Sequence, residues 1–460
     1  MKRPSKVQAT PSQVGFIGYL IFIVSWFLHI PARVPGLGVL RIDLLLVLFL
    51  AATAVLQRDR QPTARTATDR WLVILIAYSL LTVPFVEWPG SVLKIGLPNF
   101  VKAVVFYYFT IAFIRTEKQL RVFIVLFLTC QTVRVLEPLY LHFTTGYWGS
   151  QASMGGGSEF LNRLSGGPFD IVNPNGLAYI VCIILPLMYF LGVDSGKKII
   201  GLIVLASALL YAMILTGSRS GLIGVAIVGL GIWLKSNNKA LLSVVFAIAC
   251  VGALATMSSD MRDRYLSIFG GGEKNAATAS ERYEGMREQF HVIFHKPIFG
   301  HGLGTSAEAN YHFSSGGPYG GRALPAHNLY LEVAQELGLL GFLVFMMFLK
   351  SILTGFLQIR AQLARERRGD YVAKLLNGME VWLAMGLIFS FASYGLSSYD
   401  WYMFAGMAVV LLRLQQVNSA KGGEEHAVSA SETPSARFRG RSRHVRVGSR
   451  GPVNARPPYP

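Results

Sequence analysis

The chain has 460 residues, 52% of them hydrophobic and only 15% charged, with a formal net charge of +18. Soluble domains carry about 25% charged residues, so the composition excludes an ordinary soluble globular fold. The positive balance does not indicate nucleic acid, because the bases are sorted into loops between apolar runs.

Runs of about 16 to 22 apolar residues match helices that cross a hydrocarbon core about 30 Å thick. In chain order they lie at 15–30, 39–56, 71–87, 98–115, 122–142, 175–192, 198–216, 221–236, 240–258, 333–357, 376–395 and 399–414. The pattern predicts an all-α, polytopic integral membrane protein with twelve transmembrane helices and a large extracytoplasmic loop. No small-residue cleavage site follows the first run and more spans come after it, so it reads as a span and not as a removable signal. One set of connections holds Lys2, Arg3 and Lys6, then Arg58, Arg60, Arg65 and Arg70, then Arg115, Lys118 and Arg121. It continues with Lys197, Lys198, Lys235 and Lys239, with Arg360, Arg365, Arg367, Arg368 and Lys374, and with a basic tail. The alternate connections hold the single bases Arg33, Lys94, Arg163 and Arg219. The positive-inside rule then places both termini in the cytoplasm. Cys130, Cys182 and Cys250 all fall inside runs, so no structural disulfide is implied and they read as small apolar fillers.

The organisation that follows is a membrane part with nine helices over 1–258, an extracytoplasmic loop over 259–326, three further helices over 327–416, and a basic, disordered cytoplasmic tail over 417–460. Inside the loop, Thr278 and Glu281 have the spacing of a capping box. The spacing predicts an amphipathic helix over 281–295, with Tyr283, Met286, Phe290, Ile293 and Phe294 on one stripe and Pro297 ending it. The tail is poor in apolar residues. Its arginines can meet anionic headgroups, although a solvated tail explains them equally well.

Four places carry residues suited to chemistry. The turn Thr216-Gly217-Ser218-Arg219-Ser220-Gly221 holds an arginine beside lipid, where a charge is costly. A guanidinium there can grip a phosphate through forked donors, or it can simply snorkel to headgroups. Arg282 opens the loop helix and either binds an anion or pairs with a nearby glutamate. Arg163 and Asn175 lie on the same face as Arg219 and are candidate substrate contacts, with helix capping the alternative for Asn175. His327 stands where a helix begins. A helix N-terminus favours the neutral imidazole, the form a general base needs, although a histidine there can also be a cap. Asn328, Glu332 and Glu336 recur every four residues on one face of that helix; Asn328 is placed to orient the imidazole or a sugar. The run Gly300-His301-Gly302-Leu303-Gly304 has no βαβ context and reads as a tight connector, not a dinucleotide site. The histidines at 291, 295, 301 and 312 have no metal-ligand spacing, so no metal is predicted.

Together these residues resemble the O-antigen ligase/polymerase family of bacterial membrane glycosyltransferases, over most of the membrane region and especially 160–345. The most specific piece is similar to the ligase signature of His, then Asn, Ser or Gln, nine residues, then Gly-x-x-Gly. Here it reads His327-Asn328, residues 329–337, and Gly338 to Gly341. Polymerases and some protein O-glycosylation ligases share much of it. The resemblance implies a GT-C-like helical fold in the bacterial inner membrane with its active site facing the periplasm. It implies Arg219, Arg282 and His327 as catalytic residues; Arg163, Asn175, Asn328 and Glu332 are the candidate substrate contacts that the residues themselves suggest beside them. The implied donor is a glycan on undecaprenyl diphosphate. The implied acceptor is lipid A core, another glycan or a protein hydroxyl, with the ligase narrowly favoured. Such a donor already carries its leaving group, so no cofactor, nucleotide or metal is called for. The competing class is a transporter of an anion or lipid-linked sugar. It would use the charges in or beside spans, Arg41, Asp43, Lys102, Arg134, Glu137, Glu380 and Asp400, near the midplane.

Overall fold

The computed structural model describes residues 13–57, 65–150, 162–192, 196–257, 261–262, 265, 285–314, 327–366, 370–393 and 395–431. The regular structure among them is helical throughout. In chain order the helices are α1 Gln13–Phe27, α2 Ile30–Arg33, α3 Ile42–Gln57, α4 Ala67–Leu81, α5 Pro89–Phe113, α6 Glu117–Thr145, α7 Pro174–Gly192, α8 Gly196–Leu215, α9 Arg219–Lys235, α10 Lys239–Thr256, α11 Ser306–Phe313, α12 Leu329–Glu366, α13 Asp370–Phe389 and α14 Tyr399–Ser431. Each of the apolar runs overlaps one or more of these helices, and the runs 71–87 and 376–395 extend past the helix ends at Leu81 and Phe389. By length and composition, five helical stretches can cross a membrane: Pro89–Phe113, Glu117–Thr145, Pro174–Gly192, Leu329–Ala364 and Tyr371–Phe389. The remaining apolar helices are shorter, such as Gln13–Phe27 and Ile42–Leu56. The protein is therefore a helical membrane protein, with five helices among the described residues long and apolar enough to span.

The chain divides into two units, Met1–Gln416 and Val417–Pro460. Helix α14 runs on to Ser431, past residue 417, where disorder was expected. Once a helix is nucleated, each further residue adds one backbone bond for one residue fixed, and most of this sequence is compatible with that. Residues 432–460, with the tail arginines, lie outside the described residues.

Aromatic rings fill the first unit. Tyr19 stacks on Phe123 at 5.5 Å, Phe22 meets Phe106 at 5.2 Å, and Phe27 meets Tyr399 at 5.2 Å. Outward positions such as Leu48, Val125, Ile203 and Leu353 are exposed, as lipid-facing side chains are. Helix α9 packs closely on α7 and α13. A Cβ at Gly221 would lie 2.5 Å from the Ala178 Cβ, and one at Gly231 2.8 Å from Val381; small residues let helices approach this far. Arg33 pairs with Glu137 and Lys296 with Glu87, while Asp69 pairs with Arg413 and Arg121 covers the Tyr371 ring.

The expected amphipathic helix is helical over 285–293. Its inward side carries Val292 and Ile293, whereas Phe290 and Phe294 are more than half exposed and pack on each other at 5.2 Å. The apolar stripe is therefore split: one part seats the helix and the other faces outward. Tyr283 and the Thr278–Glu281 box lie outside the described residues.

Helix α12 breaks at Gly338, where φ is 68° and ψ is −178°. The break strands carbonyls in the preceding turn, and the connector 297–304 takes them. His301 N–H donates to Gln335 O (2.8 Å), Gly302 N–H to Glu336 O (3.0 Å), and Leu339 N–H to Pro297 O (2.7 Å). The Tyr78 hydroxyl closes the clasp on Leu337 O and Ile298 O. Only glycine fits, since a Cβ at Gly338 would lie 2.3 Å from Ile298 O and one at Gly300 2.4 Å from Glu336 O. His301, fully buried, stacks on Trp88 and Phe313 and bonds Val292 O through Nε2 at 3.0 Å.

Two predictions test this clasp. Gly338→Ala should destabilise the detergent-solubilised protein by about 2 kcal/mol or more, since its dihedrals are essentially glycine-only. Gly201→Ala, in α8 with open space around it, should be neutral in the same melt; equal losses at both sites would refute the clasp. Burial lowers the His301 pKa below its usual 6.5. The unfolded chain then takes up a proton first as pH falls, so this contribution to stability is full above about pH 6.5 and disappears as pH drops through the folded pKa. Thermal melts should lose more stability between pH 7.5 and 5.5 in the parent protein than in His301→Phe.

Candidate functional site

The site begins with a bridge between three segments. Asn173, not Asn175, caps α7: its Oδ1 accepts the Gly176 N–H at 2.9 Å. That leaves the Asn175 carbonyl to accept from Arg163 Nη2 (2.8 Å) and from the Ser218 hydroxyl (2.9 Å). Arg163 Nε also donates to Thr216 O at 2.7 Å, and Leu164 N–H donates to Leu215 O at 2.9 Å. Ser218 is the N-cap of α9, accepting the Gly221 N–H at 3.1 Å. Arg219 follows it as the first helical residue and is half-buried. A guanidinium there adds to the partial positive charge of the helix start, where anions are favoured.

His327 stands two residues before α12 and is exposed. The cap is the next residue, Asn328, whose Oδ1 accepts the Tyr330 and Leu331 N–H groups at 2.9 and 3.2 Å. The asparagine fixes the helix start from which His327 projects. Leu329 N–H donates to Ser390 O at 2.9 Å and ties that start to the end of α13.

The two halves meet at a cavity of about 260 Å³. His327 and Asn175 both line it, with Asn173, Tyr179, Ser390, Asp400 and Trp401. Arg219 is not among the lining residues; it is joined to the cavity through Ser218 and Asn175. Glu332 shapes the wall from behind, accepting the Gly395 and Leu396 N–H groups at 2.7 and 3.1 Å. Glu336 holds the clasp, accepting the Gly304 N–H at 2.7 Å and the Ser306 N–H at 3.3 Å. Both glutamates are buried. Arg282 lies outside the described residues. Asp400, with Ser398 donating to its Oδ2 at 2.5 Å, is a cavity residue that the sequence offered only as a charge near a span. A Ser-Ser-Tyr-Asp-Trp run at a span boundary was the signal available. Among the described residues, no three His, Cys, Asp or Glu side chains converge as a metal site would need.

Several of the remaining charges near spans are paired or hydrogen-bonded. Arg134 pairs with Asp170, Glu137 with Arg33, and Glu380 with both Lys235 and Arg360, while Asp43 accepts from Ser25.

No curated protein matches the sequence. Residues 202–346 match the family model described as O-antigen ligase, a family of ligase- and polymerase-type enzymes of glycan transfer. The matched stretch includes Arg219, the Pro297–Gly304 connector, His327 and the Gly338 break. The cavity thus lies partly on, and partly beside, an O-antigen ligase-like region carried by a helical membrane protein.

Proposed function

We propose that this cavity is where a glycan passes from a polyprenyl-diphosphate carrier, undecaprenyl diphosphate in the family's chemistry, to an acceptor hydroxyl at the outer face of the bacterial inner membrane. The observation that carries the reading is Asn175, which lines the cavity with His327 and also accepts from the serine preceding Arg219. His327 accepts the acceptor's proton. The oxygen attacks the anomeric carbon opposite the diphosphate, the carbon–oxygen bond to the diphosphate breaks, and the configuration inverts. Arg219, with Arg282, stabilises the charge growing on the departing diphosphate. Arg163 and Asn175 position the Arg219 turn, Asn328 positions His327, and Glu332 holds the wall. Asp400 is a second group able to accept a hydroxyl hydrogen. The leaving group is already activated, so the reaction needs neither nucleotide nor metal. Lipid A core as acceptor makes the protein a ligase; another glycan makes it a polymerase and a protein hydroxyl an oligosaccharyltransferase. Surface-glycan electrophoresis of a deletion strain separates these. The pairing of Arg134, Glu137 and Glu380 with opposite charges favours the enzyme over a transporter, whose charges must be available to cargo.

The reading requires the segment 259–326 to lie outside the cytoplasm, and the sorting of bases then places both termini within it. Reporter fusions after Gln61, Arg368 and Lys421 should read cytoplasmic and those after Gly156 and Gly316 external. A cytoplasmic reporter at Gly316 overturns the mechanism.

Arg219→Ala should abolish transfer while insertion is kept, and Arg219→Lys should recover little, because an ammonium lacks the forked donors. Full activity of the lysine variant would mean that charge alone matters. His327→Ala should reduce the transfer rate by about 10²-fold or more with donor binding largely retained. His327→Gln keeps a hydrogen bond but cannot act as a base; near-normal transfer by it would make His327 structural.

A further inference from the structure

One wall of the cavity is formed by Ile171, Val172 and Asn173. They end a non-helical strap, residues 162–173, that leads into α7. Two ion pairs pin this strap to α6. Arg134, midway along α6, forks onto Asp170 (Nε to Oδ2 2.9 Å, Nη2 to Oδ1 3.2 Å), with the two side chains only 6% and 3% exposed. Asp170 also accepts the Val172 N–H at 3.1 Å, and its carbonyl accepts the Ser150 hydroxyl at 2.6 Å. Arg33 forks onto Glu137 at 2.6 and 2.7 Å and donates to Pro168 O at 3.2 Å. Between the pinned residues 168 and 170 lies Phe169, with φ of 68°. Bulky residues avoid that region, and such strain persists only where the surroundings over-determine it.

We infer that Arg134 and Asp170 are positioning residues for transfer: their buried pair, with Arg33–Glu137, holds the strap so that its last residues form the wall facing His327. The inference rests on the reading that glycan transfer occurs in this cavity. Two facts separate positioning from simple stabilisation. A buried ion pair is seldom more stable than a well-packed apolar pair of similar size, so stability alone does not explain it. The pair also holds the backbone in a conformation that its own sequence disfavours at Phe169, and releases it directly into cavity-lining residues. Asp170 acts on the wall through its bond to Val172 N–H, which an apolar side chain cannot replace.

The test follows from that contrast. Removing one partner leaves an uncompensated buried charge and can simply unfold the protein, so the decisive variant is the apolar pair Arg134→Met with Asp170→Leu. Three things are measured: thermal melting in detergent, glycan transfer in liposomes per folded molecule, and labelling of Ile171→Cys by a maleimide. Labelling is done in a background where Cys130, Cys182 and Cys250 are alanine. The expected result is a melting temperature near that of the parent, a loss of transfer of about tenfold or more, and a labelling rate changed at least threefold. An apolar pair that folds and transfers at the parent rate overturns the proposal. If the pair variant fails to fold, Arg33→Lys decides: it keeps an ion pair with Glu137 but loses the fork and the reach to Pro168. An unchanged melt with several-fold slower transfer and altered labelling supports positioning; unchanged transfer overturns it. Should the parent protein itself transfer no glycan, the functional reading fails, and labelling of Ile171→Cys alone then tests the strap, unchanged labelling overturning it.

Discussion

Backbone amides that leave a helix close to lipid must find partners inside the protein, because water is not there to supply them. This constraint organises the whole candidate site. Side-chain oxygens take up many of these amides. Glu332 takes the amides of Gly395 and Leu396, and Glu336 those of Gly304 and Ser306. Asn328 takes those of Tyr330 and Leu331, and Asp170 takes that of Val172. The reverse case is the break at Gly338, where the carbonyls of a helix are taken by a loop. Of the candidate substrate contacts, Asn328 and Glu332 satisfy backbone amides, whereas Asn175 bonds the side chains of Arg163 and Ser218. What they build is a cavity wall to which His327, Asn175 and Asp400 belong.

The same economy governs charge. A lone charge beside hydrocarbon is costly, and Arg134, Glu137, Asp170, Arg33, Lys235, Glu380 and Arg360 are all paired. Neutralised in this way, they serve as fixed points between helices and not as carriers of cargo. Arg163 works similarly, its donors directed at Thr216 O and Asn175, so it braces the turn on which Arg219 stands. The site is thus layered. Asparagines and glutamates set the backbone, arginine pairs fix the straps, and the cavity lies where α7, α12, α13 and the start of α14 come together.

Helicity and membrane character were legible in the sequence because each depends on local composition. An apolar run of sufficient length has to be helical in lipid. The signature His327-Asn328 to Gly338-x-x-Gly341 was legible only by resemblance, and the break at Gly338 was not, because the apolar run 333–357 continues straight through it. Tertiary structure alone decided the rest. Asn173 and Asn175 sit two residues apart with equally suitable side chains, and only the approach of Arg163 and Ser218 makes one a bridge and the other a cap. Asp400 enters the cavity because α14 begins against α7 and α13, a contact between segments more than two hundred residues apart in the case of Asn175. Side chains of one type are interchangeable along a sequence; the neighbours that distinguish them come from distant parts of the chain, and packing supplies those.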